Sequence, residues 1–222
     1  MFCIPIIARN TDEALKKIAR AELLADILEI RLDMMDAFDL PEIIQSTAKP
    51  ILVTYRSEKE GGRGAANYMT RVHYLSKAIE AGAGFVDVEH SLPLDYRLKL
   101  FQMRGSSKLI LSKHILNGTP SREKLEDVLK KMAATGADIV KIVTRAGSWE
   151  NNFRILELIQ RAHDQKIKII TFCMGPMGKM SRVFSCLMGG YLTFVSLEAG
   201  EESADGQIPV REMKKILECF SL

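Results

Sequence analysis

Ala137-Asp138-Ile139-Val140-Lys141-Ile142-Val143-Thr144 decides the fold. The stretch is short, mostly apolar and β-branched, as a strand buried on both faces is. Gly136 closes a helical pattern before it, and a second helical pattern runs from about Glu150 to Gln165 after it. Strands alternating with helices read as parallel strands joined by right-handed crossovers. In the middle of this strand stands Lys141. A buried lysine is uncommon without a partner. Burial favours the neutral amine, which can attack a carbonyl. Taken alone, the stretch also admits a plainer reading, a lysine that snorkels to water or pairs with a carboxylate.

Working outward, the same alternation repeats. Phe2 to Ala8 reads as the first strand, and Thr11 as the cap of a helix carrying Leu15, Ile18 and Ala19 at helical spacing. Ile27 to Asp33 is the second strand, and Pro41 to Gln45 is helical. Pro50 to Arg56 is the third strand. A polar loop from Ser57 to Gly64 leads to a helix over Asn67 to Ala81. Phe85 to Glu89 is the fourth strand, with a helix near Asp95 to Met103. Lys108 to His114 is the fifth. Thr119-Pro120 opens the next helix, with proline at its first position. After the lysine strand come Lys168 to Met174, a short helix over Ser181 to Met188, and a last strand from Tyr191 to Leu197. A polar loop over Glu198 to Gln207 precedes a closing helix from Val210 to Phe220. Eight βα units in 222 residues predict one α/β domain over 1–222, a closed (β/α)8 barrel. No G-x-G-x-x-G follows the first strand, which argues against a dinucleotide-binding sheet.

Composition sets bounds. Hydrophobic residues make up 47% and charged residues 27%, ordinary for a soluble globular chain. The net charge of +3 is spread along the chain without a basic block, so no nucleic-acid surface is expected. The four cysteines, Cys3, Cys173, Cys186 and Cys219, form no C-x-x-C pair. That fits a reducing, cytoplasmic compartment and argues against zinc. The apolar run at the N-terminus is too short for a signal peptide or a membrane span.

In a (β/α)8 barrel the active site lies at the C-terminal ends of the strands. There the sequence places Glu29, Arg31 and Asp33, then Arg56 with the Glu60 loop, then Glu89, His114, Lys141 and Met174. Arg182 begins the helix after Met174, Phe194 lies on the last strand, and Ser203 and Gln207 lie in the loop beyond it. A lysine, a histidine and a carboxylate suit imine chemistry with acid–base help. Several arginines suit an anionic substrate, most simply a carboxylate. Each residue also has a plainer role. Glu29, Arg31 and Asp33 could form an interior ion network, Arg182 could be solvated, Met174 could fill core, and His90 rivals His114.

These stretches together resemble one family, type I 3-dehydroquinate dehydratase. The resemblance is carried by Asp26-Ile27-Leu28-Glu29-Ile30-Arg31-Leu32-Asp33, Thr54 to Gly62, Leu111-Ser112-Lys113-His114 and Gly136 to Lys141. Met174-Gly175 with Ser181-Arg182, and Ser203-Ala204-Asp205-Gly206-Gln207, complete it. It implies a lyase that dehydrates 3-dehydroquinate to 3-dehydroshikimate in the shikimate pathway, toward chorismate and the aromatic amino acids. Lys141 would form the imine with the C3 ketone. His114 would remove the C2 proton and help the C1 hydroxyl leave, and Glu60 would support His114. Arg182 would pair with the substrate carboxylate. Glu29, Arg31, Arg56, Ser203 and Gln207 would hold hydroxyls and position the ring, with Met174 and Phe194 also against the substrate. The resemblance implies no metal, no organic cofactor and a cytoplasmic homodimer.

Nearby arginines would favour a neutral Lys141 by like-charge repulsion. Two positions depart from the family pattern. Asp205 stands where members often have proline, which would loosen the loop and put a negative charge near the substrate. Pro5 stands where some members place a polar contact. The rival enzyme reading is a sugar-phosphate aldolase, with Gly175 to Lys179 or Gly189-Gly190 as the phosphate loop. A binding module that has lost catalysis is the non-enzymatic rival.

Overall fold

Strand and helix alternate through a computed structural model that describes residues 1–220. The strands are Phe2–Ile6 (β1), Ile27–Arg31 (β2), Ile51–Thr54 (β3), Phe85–Glu89 (β4), Lys108–Ile115 (β5), Ile139–Arg145 (β6), Ile169–Met174 (β7) and Thr193–Phe194 (β8). The helices are Thr11–Ala21 (α1), Leu40–Gln45 (α2), Tyr68–Glu80 (α3), Leu94–Met103 (α4), Arg122–Ala133 (α5), Glu150–Asp164 (α6), Lys179–Leu187 (α7) and Val210–Glu218 (α8). All strand pairs are parallel, in the order β7-β6-β5-β4-β3-β2-β1-β8. The remaining gap is bridged just ahead of β8, where Tyr191 N donates to Ile169 O of β7 at 2.7 Å. The chain is a (β/α)8 barrel.

Alternation along each strand explains both the barrel filling and the site. The inward residues nearest the strand starts are apolar. Cys3, Ile27, Leu52, Phe85, Ile110, Ile139, Ile170 and Leu192 belong to one buried interior cluster. Two residues further along, the inward layer turns chemical: Glu29, Thr54, Asp87, Ser112 and Lys141, with Phe172 and Phe194 completing the ring. Two further again come Arg31, Arg56, Glu89, His114, Val143 and Met174. The outward residues, among them Leu28, Ile30, Val53, Val86, Leu111, Val140 and Ile142, join a second core with the helices. That core takes Ile18 from α1, Leu75 from α3, Leu129 from α5 and Ile155 and Ile159 from α6. Each fully buried aliphatic side chain contributes about 1.5–3 kcal/mol.

Several boundaries differ from the sequence reading for local reasons. Asn10, not Thr11, caps α1: its backbone is extended and its side chain accepts from Glu13 N. Thr11 Oγ1 instead accepts from Asp39 N at 2.8 Å. Pro120 lies outside α5, because Ser121 is the extended cap residue and accepts from Lys124 N. Thr119 is held to β6 by its hydroxyl, which donates to Arg145 O at 3.0 Å. β2 ends at Arg31, and Leu32–Met34 is a 3₁₀ turn. The strand expected over Tyr191 to Leu197 keeps only two ladder residues. Its partner β1 explains why. Val195 N donates to Cys3 O at 3.0 Å, and the next ladder bond would need an N–H from Pro5, which has none.

Candidate active site

The middle inward layer is built on paired charges. Lys141 is 4% exposed. Its Nζ lies 3.1 Å from Asp87 Oδ2 and 4.2 Å from the centroid of the Phe194 ring. Arg56 reaches the same carboxylate at 2.7 Å, Glu89 at 3.1 Å and Ser112 Oγ at 2.9 Å. Burial alone would raise the Asp87 carboxyl. Arg56 and Lys141 outweigh it and hold Asp87 well below the usual carboxylate range. Glu89 in turn accepts from Arg71, Ser57 N and Ser57 Oγ. Lys141 therefore pairs with a carboxylate, as its plainer reading allowed, and the arginines expected near it are accompanied by this opposite charge.

Glu60 comes from a 3₁₀ turn, Glu58–Glu60, in the loop after β3. Its Oε2 lies 3.0 Å from His114 N and 3.2 Å from His114 Nδ1, and its Oε1 accepts from Ser91 Oγ at 2.7 Å. Gly62 permits this fold-back. Its N–H donates to Ser57 O at 2.9 Å, and a Cβ there would stand 2.2 Å from Arg56 O. Burial, then Arg56 and Lys141, push the His114 imidazole well below its ordinary value, so the ring is neutral near pH 7. On the neighbouring strand, Ser112 is paired in register with Lys141 and His114 with Val143.

Arg31 makes a bidentate pair with Asp33 at 2.8 and 2.7 Å. Asp33 also accepts from Arg56 N and Arg63 N, which fixes the start of the β3 loop. Glu29 accepts from Thr54 Oγ1 at 2.7 Å. The Glu29, Arg31 and Asp33 triplet thus splits: Arg31 and Asp33 do pair, while Glu29 turns to Thr54.

Arg182 is 1% exposed. Its Cζ lies 4.3 Å over the Phe172 ring, and Phe172 meets Phe194 edge-on with centroids 6.1 Å apart. One side-chain nitrogen, Nη2, donates to Asp205 O at 3.1 Å. Among the described residues, the buried Nε and Nη1 have no hydrogen-bond partner. Burial lowers this guanidinium to about 10. A buried cation with unpartnered N–H groups, on a residue that lines the cleft, is prepared for an anion.

These groups meet in one half-open cleft. Glu29, Arg31, Arg56, Glu60, His114, Lys141, Met174, Arg182, Phe194, Ser203 and Gln207 all line it, with Thr54, Gly61, Val143, Phe172 and Ala204. Ser203 and Gln207 close on one another, Gln207 Nε2 donating to Ser203 Oγ at 2.9 Å. His90 is not among the lining residues. Sequence analysis missed Asp87, although it stands two residues before Glu89 and so on the same strand face. It also missed Phe172, which looked like ordinary strand core. Asp205, expected to loosen its loop, is instead paired with Arg145 at 3.0 Å.

The type I 3-dehydroquinase family model matches residues 2–222. The chain belongs to the type I 3-dehydroquinase family. A 3-dehydroquinate dehydratase from Methanocaldococcus jannaschii is 34% identical and aligned over 100% of both chains. One from Desulfotalea psychrophila is 35% identical over 86% of each. A crystal structure of the type I enzyme from Clostridium difficile, with covalently modified comenic acid, superimposes with a TM-score of 0.89. It is 26% identical, with 99% of this chain and 91% of that one covered.

The loop that the aldolase rival would use for phosphate is largely engaged within the protein. Gly178 N donates to Gly175 O at 2.9 Å, and Gly175 N to Asp205 O at 3.3 Å. Ser181 N donates to Asn152 Oδ1 at 3.3 Å. With Lys179 N donating to Pro176 O, three amides of the Gly175 to Lys179 stretch are already spent within the protein. Gly189 is packed against the His163 ring. Among the described residues, no helix is long and apolar enough to cross a membrane.

Proposed function

We propose that this chain converts 3-dehydroquinate to 3-dehydroshikimate through an imine on Lys141. The observation that carries this reading is a buried lysine and a neutral histidine on adjacent strands, in one cleft with a buried arginine that has two unpartnered nitrogens. Arg182 takes the substrate carboxylate. Lys141, once neutral, adds to the C3 ketone, and loss of water gives the iminium. Asp87 is held ionised, so it orients the amine and does not serve as its proton acceptor. With Nδ1 donating to Glu60, His114 presents Nε2 as a base. It takes the C2 proton, and the electron pair enters the iminium to give an enamine. The enamine expels the C1 hydroxyl, which leaves as water with the proton returned by His114. Water then hydrolyses the conjugated iminium and frees Lys141 and the product. Glu29, Arg31, Arg56, Ser203 and Gln207 hold the ring hydroxyls, and Met174 and Phe194 pack against its apolar edges.

The reading extends to a single catalytic domain over 1–222, acting in the cytoplasm as a homodimer without metal, cofactor, membrane or nucleic acid. Full-length alignment to relatives of the same size supports the domain reading. The four free cysteines are consistent with a reducing compartment. The direct test is ultraviolet absorbance of the conjugated enone carboxylate after adding 3-dehydroquinate. A steady rise supports the reading. No rise, with turnover of a phosphorylated aldehyde instead, overturns it.

A further inference from the structure

Among the described residues, the Arg182 guanidinium donates to one backbone atom, the carbonyl of Asp205. That carbonyl sits in the polar loop between β8 and α8, which also carries Ser203 and Gln207. What fixes it is visible at the neighbouring strand ends. Asp205 O also accepts from Gly175 N at 3.3 Å, just beyond β7. Gly206 has φ +80°, and a Cβ there would stand 2.4 Å from Gly175 O, so the 205–206 backbone lies directly on Gly175. The Asp205 carboxylate reaches outward to Arg145 Nη2 at 3.0 Å. Arg145 ends β6, the strand that carries Lys141, and is paired in register with Met174.

We propose that the Arg145–Asp205 ion pair is a latch that pins the β8–α8 loop to the rim of β6 and β7, so that Asp205 O aims Arg182 at the substrate carboxylate. Both are positioning residues, acting through Arg182 without touching substrate. Here a charge pair supplies the constraint, which makes it separable by mutation. Loss of the latch weakens a contact made equally in the ground and transition states, so it raises KM and leaves kcat nearly unchanged.

The proposal rests on the function proposed above, and wild-type turnover tests that function first. Asp205→Asn and Arg145→Met should each raise KM for 3-dehydroquinate about two- to fivefold, the range an exposed ion pair supports. kcat should stay within about twofold. The double variant should be no worse than either single one, because each removes the same interaction, and Asp205→Glu should restore most of the affinity. Loop cleavage by a protease should quicken in both single variants, a readout independent of turnover. Additive losses in the double variant, an unchanged KM, or a fall in kcat alone would overturn the latch. If the wild type does not turn over 3-dehydroquinate, the proposed function falls and the cleavage rates decide the latch: faster cleavage keeps it and equal cleavage removes it.

Discussion

At the residue scale, the site is governed by which charges are compensated. Asp87 serves two cations, Arg56 and Lys141, and is itself fully enclosed. Asp87→Asn leaves both facing a neutral amide. Breaking a buried pair from one side costs about 3–5 kcal/mol, and urea unfolding of the variant should show a loss of that order. His114→Ala should reduce kcat by roughly 10²–10⁴, the range of general acid–base help, with the barrel's circular dichroism unchanged. Lys141 and His114 stood out because their residue types are rare on buried strands, and Glu60 and Arg182 because they lie in the segments that follow β3 and β7, where a barrel keeps its chemistry. Asp87 did not, since Val86 and Val88 flank it and it reads as part of the strand's apolar core. Only the period-two link to Glu89 could have found it. The unpartnered Nε and Nη1 of Arg182 had no sequence signal, because burial depends on the loop that folds over it.

At the scale of elements, loops decide what strands only offer. The Ser57 to Gly64 loop turns back on β3 through Gly62 and Gly64, whose N–H groups donate to Ser57 O and Arg56 O. This presents Glu60 to His114. Gly62→Ala would force a Cβ against Arg56 O and displace the turn. We expect a loss of about 1–3 kcal/mol from overpacking together with a lower kcat, read by thermal unfolding and steady-state assay. An unchanged kcat would detach Glu60 placement from this glycine. The element order was readable because apolar runs and helical periods alternate without interruption. The ends were less so. Asn10 and Ser121 won the capping positions over Thr11 and Thr119-Pro120, because the neighbouring threonines were recruited by Asp39 N and by β6. β8 shortened because Pro5, on another strand altogether, cannot donate, a constraint between segments about 190 residues apart that no local pattern carries.

At the scale of the molecule, the barrel stacks an apolar floor under a charged layer, and this sets its response to pH. Burial depresses His114 in the folded chain below its ordinary value of 6.5. The unfolded chain therefore takes up a proton at a pH where the folded chain does not. The stability concerned is present above about 6.5 and is lost as pH falls below it. Asp87 and Asp33 are likewise held below their ordinary 3.8 in the folded state. Their contribution is present above that value and lost below it. Urea midpoints should therefore decline between pH 7 and 5, and again below pH 4. A midpoint that rose on acidification through pH 6 would contradict a neutral buried His114. Imine chemistry in this barrel requires Lys141 as the nucleophile. The measurement that tests it most directly is intact mass and peptide mapping after borohydride reduction in the presence of 3-dehydroquinate. One reduced ligand adduct is expected, on the peptide containing Lys141. An adduct on a different lysine, or enone product forming with no adduct trapped, would contradict it.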